Sequence, residues 1–390
     1  MKRFAFALVL AGCPSPHPSA PAAEPVTTEV GGPLRGVARD GGSLVASLGD
    51  RVASRGAQVW SAQLPGTAGP IAIGGNVVYA AASAKMRGDP GALVVVLDAA
   101  TGGVKTKLAI DSTGWSVITA MAPIDGGVIV GGSFQGTLRA ADTVVASAGV
   151  TDGFVARITA AGAVSWLVRL GGPGADAVQG VAVRGDKIAI AGTFSPGADI
   201  LGEPLQSVDE NLPFADAFAA TFDANGKRTW SATFGSRLDD AVAGVAIDDS
   251  DRVVVAATAR DIVHVGAQEL TAKATDALVV WFARSDAKAM LIGEADVDGA
   301  SAVTAAGDHV IVAGYTAQDA FIAELAPGET VMRWPVTGPG REEVPALATV
   351  PGGFAAAIAH TGALTFDGVT LPAPADPLLG GALVMRPLRQ

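Results

Sequence analysis

Residues 152–183 and 216–247 repeat one sequence pattern at a constant offset of 64 positions. A fixed period of this length predicts a chain built from stacked supersecondary units, because one irregular core would leave no such regularity. The coinciding positions are Asp152/Asp216, Phe154/Phe218, Ala156/Ala220, Gly162/Gly226, Trp166/Trp230, Gly171/Gly235, Asp176/Asp240, Gly180/Gly244 and Ala182/Ala246.

The composition indicates that these units are made of strands. Of 390 residues, 49% are hydrophobic and 17% charged, which is enough apolar surface to bury a core. The 50 glycines and 23 prolines, with apolar runs rich in valine, alanine and threonine, favour short strands joined by tight turns. A net charge of −11 without a cluster of lysine and arginine argues against a nucleic acid or an anionic membrane surface as partner.

Each unit reads as four strand-like pieces of four to eight residues, separated by Gly, Asp, Asn or Pro turns. This pattern predicts an all-β fold, a β-propeller of six or seven four-stranded blades. The third piece of each unit is the poorest in bulky side chains, so we expect it nearest the central axis. Its copies are residues 178–183, 242–247, 302–305 and 346–350.

The two ends of the chain predict how the ring closes. Residues 381–388 have the pattern of a first piece with nothing after it, and residues 57–64 that of a second piece. Pairing of these N- and C-terminal strands in one blade would remove exposed strand edges. Residues 34–48 could be half of a further blade, so the sequence leaves six and seven blades open.

Irregular insertions and repeated tryptophans accompany the regular pieces. Trp166 and Trp230 are expected to pack between neighbouring blades rather than to stack on a ligand. Insertions in a repeat map to one side of a ring and often form its binding side. Extra hairpins are predicted at residues 136–150, 195–215, 260–275 and 361–379, and the units near 83–91 and 317–319 lack one.

The N-terminus has the layout of a lipoprotein signal peptide. In residues 1–12 a positive start precedes a short apolar run, and small residues lead to Cys13, the only cysteine of the chain. We expect Cys13 to be lipidated, the alternatives being an ordinary signal peptide with a chance cysteine or a buried strand. Residues 13–32 would then be the lipidated cysteine and a Pro/Ala-rich tether, followed by a single propeller domain at 33–390.

The residue after the lipidated cysteine bears on the location of the protein. Asp at that position retains lipoproteins at the inner membrane, whereas this chain has Pro14. We therefore expect an outer-membrane lipoprotein of a bacterial cell envelope, facing the periplasm or the surface.

The second copy of the repeat carries a recognisable motif, with Asp216-Ala-Phe, Trp230, Phe234-Gly235 and Asp240 in this order. It resembles the bacterial SBBP (seven-bladed β-propeller) repeat family, common in secreted and surface lipoproteins. Residues 151–260 match well, 92–150 and 275–390 loosely, and 33–90 poorly. The resemblance implies a propeller outside the cytoplasm, and it implies no catalytic residues because members of the family are mostly uncharacterised.

Acidic residues recur directly before the third piece of most units. If that piece is innermost, their carboxylates approach one mouth of the central channel and form an acidic ring that favours cations or a basic partner. The alternative is that each carboxylate accepts hydrogen bonds from its own turn and fixes the entry of the strand. The residues are Asp176, Asp240, Asp298 and Glu342, with Asp111 a looser match.

The sequence predicts no catalytic constellation, metal site or cofactor. None of the four histidines lies in a nucleophile motif, and no histidine, cysteine and carboxylate cluster has zinc-ligand spacing. The acidic runs 248–251 and 296–299 lack a full calcium loop, and Asp is favoured in a hairpin turn for local reasons.

Two main functions remain. The first is a monomeric, lipid-anchored propeller without catalysis, a platform for a protein or glycan partner. The alternative is a propeller enzyme, either a degenerate quinoprotein, whose turns resemble residues 97–102, or a glycan-active hydrolase. A narrower alternative is a scaffold in outer-membrane protein assembly.

Overall fold

The computed structural model describes residues 24–27, 34–40, 43–83, 91–284, 286–293, 297–325, 331–374 and 381–388. Every regular element in these ranges is a β-strand, so the predicted all-β class is confirmed. None of the described residues belongs to a helix with the length and apolar character needed to cross a membrane. The predicted signal peptide and Cys13 lie outside the described residues.

The strands follow one another through short turns, as the composition predicts. The first half of the chain contains β1 (Glu24–Thr27), β2 (Leu34–Asp40), β3 (Ser43–Leu48), β4 (Arg51–Gly56), β5 (Trp60–Gln63), β6 (Thr67–Gly74), β7 (Val77–Ser83), β8 (Gly91–Asp98), β9 (Val104–Ser112), β10 (Trp115–Ile124), β11 (Gly127–Gln135), β12 (Thr137–Ala140), β13 (Thr143–Ala146), β14 (Asp152–Thr159), β15 (Val164–Gly171), β16 (Ala177–Arg184) and β17 (Lys187–Phe194). The second half contains β18 (Asp199–Ile200), β19 (Glu203–Pro204), β20 (Asp216–Phe222), β21 (Arg228–Gly235), β22 (Ala241–Ile247), β23 (Val253–Val265), β24 (Gln268–Ala283), β25 (Asp286–Ile292), β26 (Gly299–Ala306), β27 (His309–Tyr315), β28 (Ala320–Leu325), β29 (Val331–Thr337), β30 (Glu342–Val350), β31 (Gly353–His360), β32 (Leu364–Phe366), β33 (Val369–Leu371) and β34 (Gly381–Pro387).

These strands pair antiparallel in sets of four, which we number along the chain. Sets 4 and 5 share one eight-stranded sheet because the long strand β23 pairs with β22 at its start and with β21 at its end. The sets are β2-β3-β4-β5 (set 1), β6-β7-β8-β9 (set 2), β10-β11-β14-β15 (set 3), β16-β17-β20-β21 (set 4), β22-β23-β24-β25 (set 5), β26-β27-β28-β29 (set 6) and β30-β31-β34-β1 (set 7).

The first strand of each set is the inner strand, because it contacts the first strands of the neighbouring sets. Contacts join β2 to β6, β6 to β10, β10 to β16, β16 to β22, β22 to β26 and β26 to β30. Strand β30 in turn contacts β2. The third sequence piece of each unit forms these inner strands, as its small side chains predict. Gly180 shows why: a β-carbon there would lie 2.7 Å from the backbone nitrogen of Val245 in the next inner strand.

The hydrophobic core is divided among the junctions between neighbouring sets. At the junction of sets 3 and 4, Val155 and Leu170 pack in one cluster with Ile190 and Phe218. At the junction of sets 7 and 1, Leu383 packs with the apolar residues of β2 and β3. Burial of apolar side chains therefore joins each set to its neighbours, at roughly 25 cal/mol per Å² of apolar surface.

The partner of the C-terminal strand differs from the prediction. Residues 57–64 were expected to pair with 381–388, but β5 pairs with β4 inside set 1. Strand β34 pairs instead with β1, with Val26 opposite Leu383. Residues 24–27, which the sequence places in the Pro/Ala-rich tether, thus form a strand beside the last one.

Extra hairpins leave sets 3, 4, 5 and 7 after their second strands, as the sequence predicts. Each one pairs with the outer strand of the preceding set. Strands β12 and β13 extend β9, β18 and β19 extend β15, and β32 and β33 extend β29. The ends of β23 and β24 extend β21 in the same way. The insertions therefore connect neighbouring sets through strand pairing.

Candidate functional site

The four predicted acidic residues lie at the start of the inner strands. Asp176, Asp240 and Asp298 directly precede β16, β22 and β26, and Glu342 is the first residue of β30. Three of them are 1–3% exposed, and Asp240 is half-buried. Asp111 lies elsewhere, since it is an exposed residue of the outer strand β9.

Asp176 hydrogen-bonds to the loops that surround it. Its Oδ2 accepts the backbone N–H of Gly172 at 2.8 Å, and its Oδ1 accepts that of Ser195 at 2.7 Å. Asp240 repeats the first of these bonds, accepting the N–H of Ser236 at 2.8 Å. These bonds satisfy loop amides and fix where the inner strand begins, which is the local role considered for them.

Asp298 and Glu342 have different partners. The Asp298 carboxylate forms an ion pair of 3.2 Å with Arg333, whose guanidinium also lies 4.2 Å from the ring centre of Phe321. Glu342 is buried near Asp319. Burial raises the pKa of Glu342, and the negative charge of Asp319 adds a smaller increase.

A second carboxylate, which we did not predict as part of a site, accompanies two of the acidic residues. Asp152 and Asp216 begin β14 and β20, and both are buried. Glycines separate the carboxylates: a β-carbon on Gly171 would lie 2.7 Å from Asp176 Oδ2 and 3.0 Å from the carboxyl carbon of Asp152. Gly235 lies in the same way between Asp216 and Asp240. The sequence repeat already indicated this arrangement, because the two aspartates and the glycine of one copy coincide with those of the other at the offset of 64.

Burial raises the pKa of three of these carboxyl groups. It raises the pKa of Asp176 to about 6, of Asp216 to about 6 and of Asp240 to about 7, with the neighbouring carboxylates adding to the increase for Asp176 and Asp240. Near neutral pH these carboxyls are therefore partly protonated. An acidic ring at the channel mouth stays a prediction, and protonation of Asp240 near neutral pH would weaken the negative field that it requires.

The acidic turn at 248–251 forms bonds within its own hairpin and to the hairpins on either side. Asp248 pairs with Arg252 at 2.6 Å, Asp251 with Lys187 of set 4 at 3.0 Å, and Ser250 donates to Asp308 of set 6 at 2.7 Å. Across the described ranges, no group of three His, Cys, Asp or Glu side chains could hold a metal ion. Asp296, the start of the other acidic run, lies outside them.

Trp166 packs between sets, as predicted, and Trp60 does the same. The indole N–H of Trp166 in set 3 donates to the carbonyl oxygen of Ala224 in set 4 at 3.0 Å. Trp60 of set 1 donates likewise to Ala99 of set 2 at 2.8 Å. In both junctions the accepting carbonyl belongs to the turn between the third and fourth strands of the next set. We call this contact the tryptophan clamp.

Comparison with known proteins gives the fold. No protein-family model matches the chain, and no curated protein matches its sequence. Among solved structures it is similar to the β-propeller domain of the Trilobed protease from Pyrococcus furiosus, with a TM-score of 0.52 and 10% identity over 90% of this chain and 99% of that one. It is also similar to Kuenenia stuttgartiensis hydrazine synthase, with a TM-score of 0.50 and 11% identity over 90% of this chain and 98% of that one.

A third similar structure is an acylaminoacyl peptidase, with a TM-score of 0.52 and 10% identity over 88% of this chain and 52% of that one. At these identities the likeness concerns the fold alone. Together with the antiparallel sets, it defines the class of protein: the chain has the β-propeller fold.

Proposed function

We propose that this protein is a lipid-anchored propeller of the bacterial cell envelope, built as a closed ring of seven blades, that binds a partner without catalysis. Each four-stranded set is one blade in this proposal. The contact of β30 with β2 and the apolar cluster between sets 7 and 1 support closure. The Pyrococcus furiosus propeller is described as having an open velcro topology, so the fold alone does not decide this point.

The position of β1 is the observation that carries the proposal. Because β1 pairs with β34 at the outer edge of set 7, Glu24 lies at the rim of the proposed ring. Cys13 precedes Glu24 by a stretch rich in proline, which as an extended segment reaches about 3.1 Å per residue. A lipid on Cys13 would thus tether the ring by its edge and leave both faces open to a partner.

The use of the buried acidic residues supports a binding role. Asp176 and Asp240 hold loop amides, Asp298 is ion-paired, and the same pair geometry recurs in two sets. Because these acidic residues recur with the repeat, their role is structural. Recognition of a partner would therefore depend on places where the repeat is irregular.

The anchor is tested by fractionation of cells that express the full chain. Cys13→Ser should move the protein from the membrane to the soluble envelope fraction, because no acyl chain can be attached. Ser15→Ala in the same stretch is the control and should stay with the membrane. Membrane retention of Cys13→Ser would refute the anchor.

Ring closure is tested by disulfide formation in the Cys13→Ser background. Val26→Cys with Leu383→Cys joins residues that are opposite each other in the register and should oxidise readily. Val26→Cys with Met385→Cys is the control, since Met385 lies opposite Glu24 and the pair is two residues out of register. Equal oxidation of the two variants, or none in either, would contradict this pairing.

A further inference from the structure

The junction of sets 4 and 5 departs from the tryptophan clamp. Trp230 occupies the position of Trp166 one repeat later, but its indole N–H meets no hydrogen-bond acceptor among the described residues. The reason is the next turn. In set 4 the turn after Phe222 has five residues before Arg228, whereas in set 5 Ala283 already pairs with Asp286. In the described part of this shorter turn, no carbonyl oxygen accepts the indole N–H of Trp230.

A second change at the same junction removes a side chain. In set 3, Arg157 lies opposite Trp166 and donates to the backbone carbonyl oxygens of Ala224 at 2.8 Å and Asp125 at 3.0 Å. Its side chain thus fills the space beside the indole. The equivalent residue opposite Trp230 is Thr221. A long side chain and a five-residue turn are thus both absent from one junction and present in its neighbour.

The two changes open a cleft of about 780 Å³ between sets 4 and 5. One wall is aromatic, since Trp230 packs against Phe282 with ring centres 5.2 Å apart. The hydroxyl groups of Thr221 and Thr229, 2.8 Å apart, lie on another side. This size suits a ligand of one to three sugar rings or similar bulk, within the usual range of ligand pockets.

The charge of the cleft is opposite to that of the protein. Lys187, Arg252 and Arg284 line it with a single acidic residue, Asp251, in a chain of net charge −11. Lys187 pairs with Asp251, and Arg252 pairs with Asp248. Arg284 is an exposed residue, and it forms no ion pair with a described residue. The donors without a partner among the described residues are therefore an indole N–H, which any acceptor can fill, and a guanidinium, which matches a carboxylate.

We propose that this cleft binds an acidic carbohydrate, with the ring of a sugar against Trp230 and its carboxylate on Arg284. Indole faces bind the apolar C–H faces of sugars, and the planar guanidinium matches a carboxylate in bidentate geometry. The inference deepens the binding role proposed above by naming the ligand class, and it is independent of the lipid anchor.

The test uses the full chain with Cys13→Ser and a trisaccharide of galacturonic acid as the probe. The neutral comparison is the same trisaccharide with its carboxyl groups reduced to alcohols. Isothermal titration should show binding of the acidic probe, at least about tenfold weaker binding of the neutral one, and an affinity for the acidic probe that falls with salt. Equal affinity for both probes, or no binding of either at millimolar concentration, would overturn the proposal.

Matched variants locate the binding in this cleft. Trp230→Ala and Arg284→Gln should each weaken binding about tenfold or more, while the exposed Trp115→Ala and Arg341→Gln should leave it unchanged. Thr221→Arg restores the residue of the neighbouring junction and should fill the cleft and abolish binding in a protein that still unfolds cooperatively. If that variant does not fold, Arg284→Gln decides the question, since it changes an exposed turn residue. Undiminished binding by Arg284→Gln would overturn the proposal.

Product analysis of the same mixtures separates this inference from the proposed function. Cleavage of the bound trisaccharide would refute the non-catalytic role while supporting the cleft. Absence of binding to the cleft would leave the anchor and the ring, which are tested by fractionation and disulfide formation, unaffected.

Discussion

Gly226 lies directly against the indole ring of Trp166, so close that a β-carbon on the glycine would be 2.7 Å from the ring. The glycine also has φ = +81°, a backbone conformation that other residues adopt at a cost. Gly102 stands in the same relation to Trp60, with φ = +71°. The clamp therefore needs glycine for two independent reasons, the turn and the ring contact.

Gly226→Ala separates these reasons when it is compared with Gly202→Ala. Gly202 has φ = +81° as well, but a β-carbon there would meet nothing within 4 Å. We expect Gly202→Ala to lower the free energy of unfolding by about 1 kcal/mol through backbone strain alone. Gly226→Ala should cost roughly 1–3 kcal/mol more, since the indole must shift. Urea denaturation measures both, and equal losses would show that the ring contact is unimportant.

The difference between the two junctions predicts unequal effects of the same change at Trp166 and Trp230. Trp166→Phe removes the hydrogen bond to Ala224 together with packed surface, and should cost about 1–2 kcal/mol of the free energy of unfolding. Trp230→Phe also removes surface packed against Phe282, but no hydrogen bond to a described residue, and should therefore cost less, about 1 kcal/mol or below. A larger loss for Trp230→Phe would mean that its indole N–H is used after all.

The sequence predicted those parts of the fold that each repeat encodes locally. Strand pieces, inner strands and all four hairpin insertions follow from alternation and turn residues within about twenty positions. Strand β1 was missed because Glu24–Thr27 contains a proline in a proline-rich stretch and resembles a tether. Its pairing with β34 is a contact between opposite ends of the chain, which local patterns do not encode.

The candidate site was only partly predictable for a similar reason. The sequence showed Asp176 and Asp240 as a recurring acidic position. It also showed that Asp152 and Asp216 coincide in the repeat. The sequence pattern does not encode the direction in which each side chain points. Each carboxylate turns toward a loop amide or toward its partner across a glycine, which depends on how two sets meet. The cleft at Trp230 likewise emerges only from comparison of two junctions in space.

The hairpin insertions should contribute to the stability of the protein through their buried residues. Ile200 of the β18–β19 hairpin is fully buried opposite Leu170 of set 3, whereas the next residue, Leu201, is 53% exposed. Ile200→Ala should lower the free energy of unfolding by about 2–4 kcal/mol, and Leu201→Ala by less than about 0.5 kcal/mol. Denaturation of the two variants checks this. Similar small losses for both would indicate that the hairpin is dispensable to the junction.

The buried carboxyl pair Asp216 and Asp240 predicts a decline of stability toward neutral pH. Burial raises the pKa of these groups in the folded protein to about 6 and about 7, from 3.8 for a free Asp. Between these values the folded state binds more protons than the unfolded state. The free energy of unfolding therefore falls as the pH rises from about 4 to about 7, and the stabilisation present at low pH is lost.

Asp240→Asn should remove much of this dependence. The amide oxygen can still accept the N–H of Ser236, while no charge has to be buried and repulsion of Asp216 disappears. Between pH 5 and pH 8 we expect the variant to gain on the order of 2 kcal/mol relative to the unmodified protein, after allowance for the partial exposure of the side chain. The exposed Asp186→Asn is the control and should leave the slope unchanged. Urea unfolding at several pH values measures the slopes, and a slope for Asp240→Asn that equals that of the unmodified protein would show that this carboxyl is already ionised in the folded state.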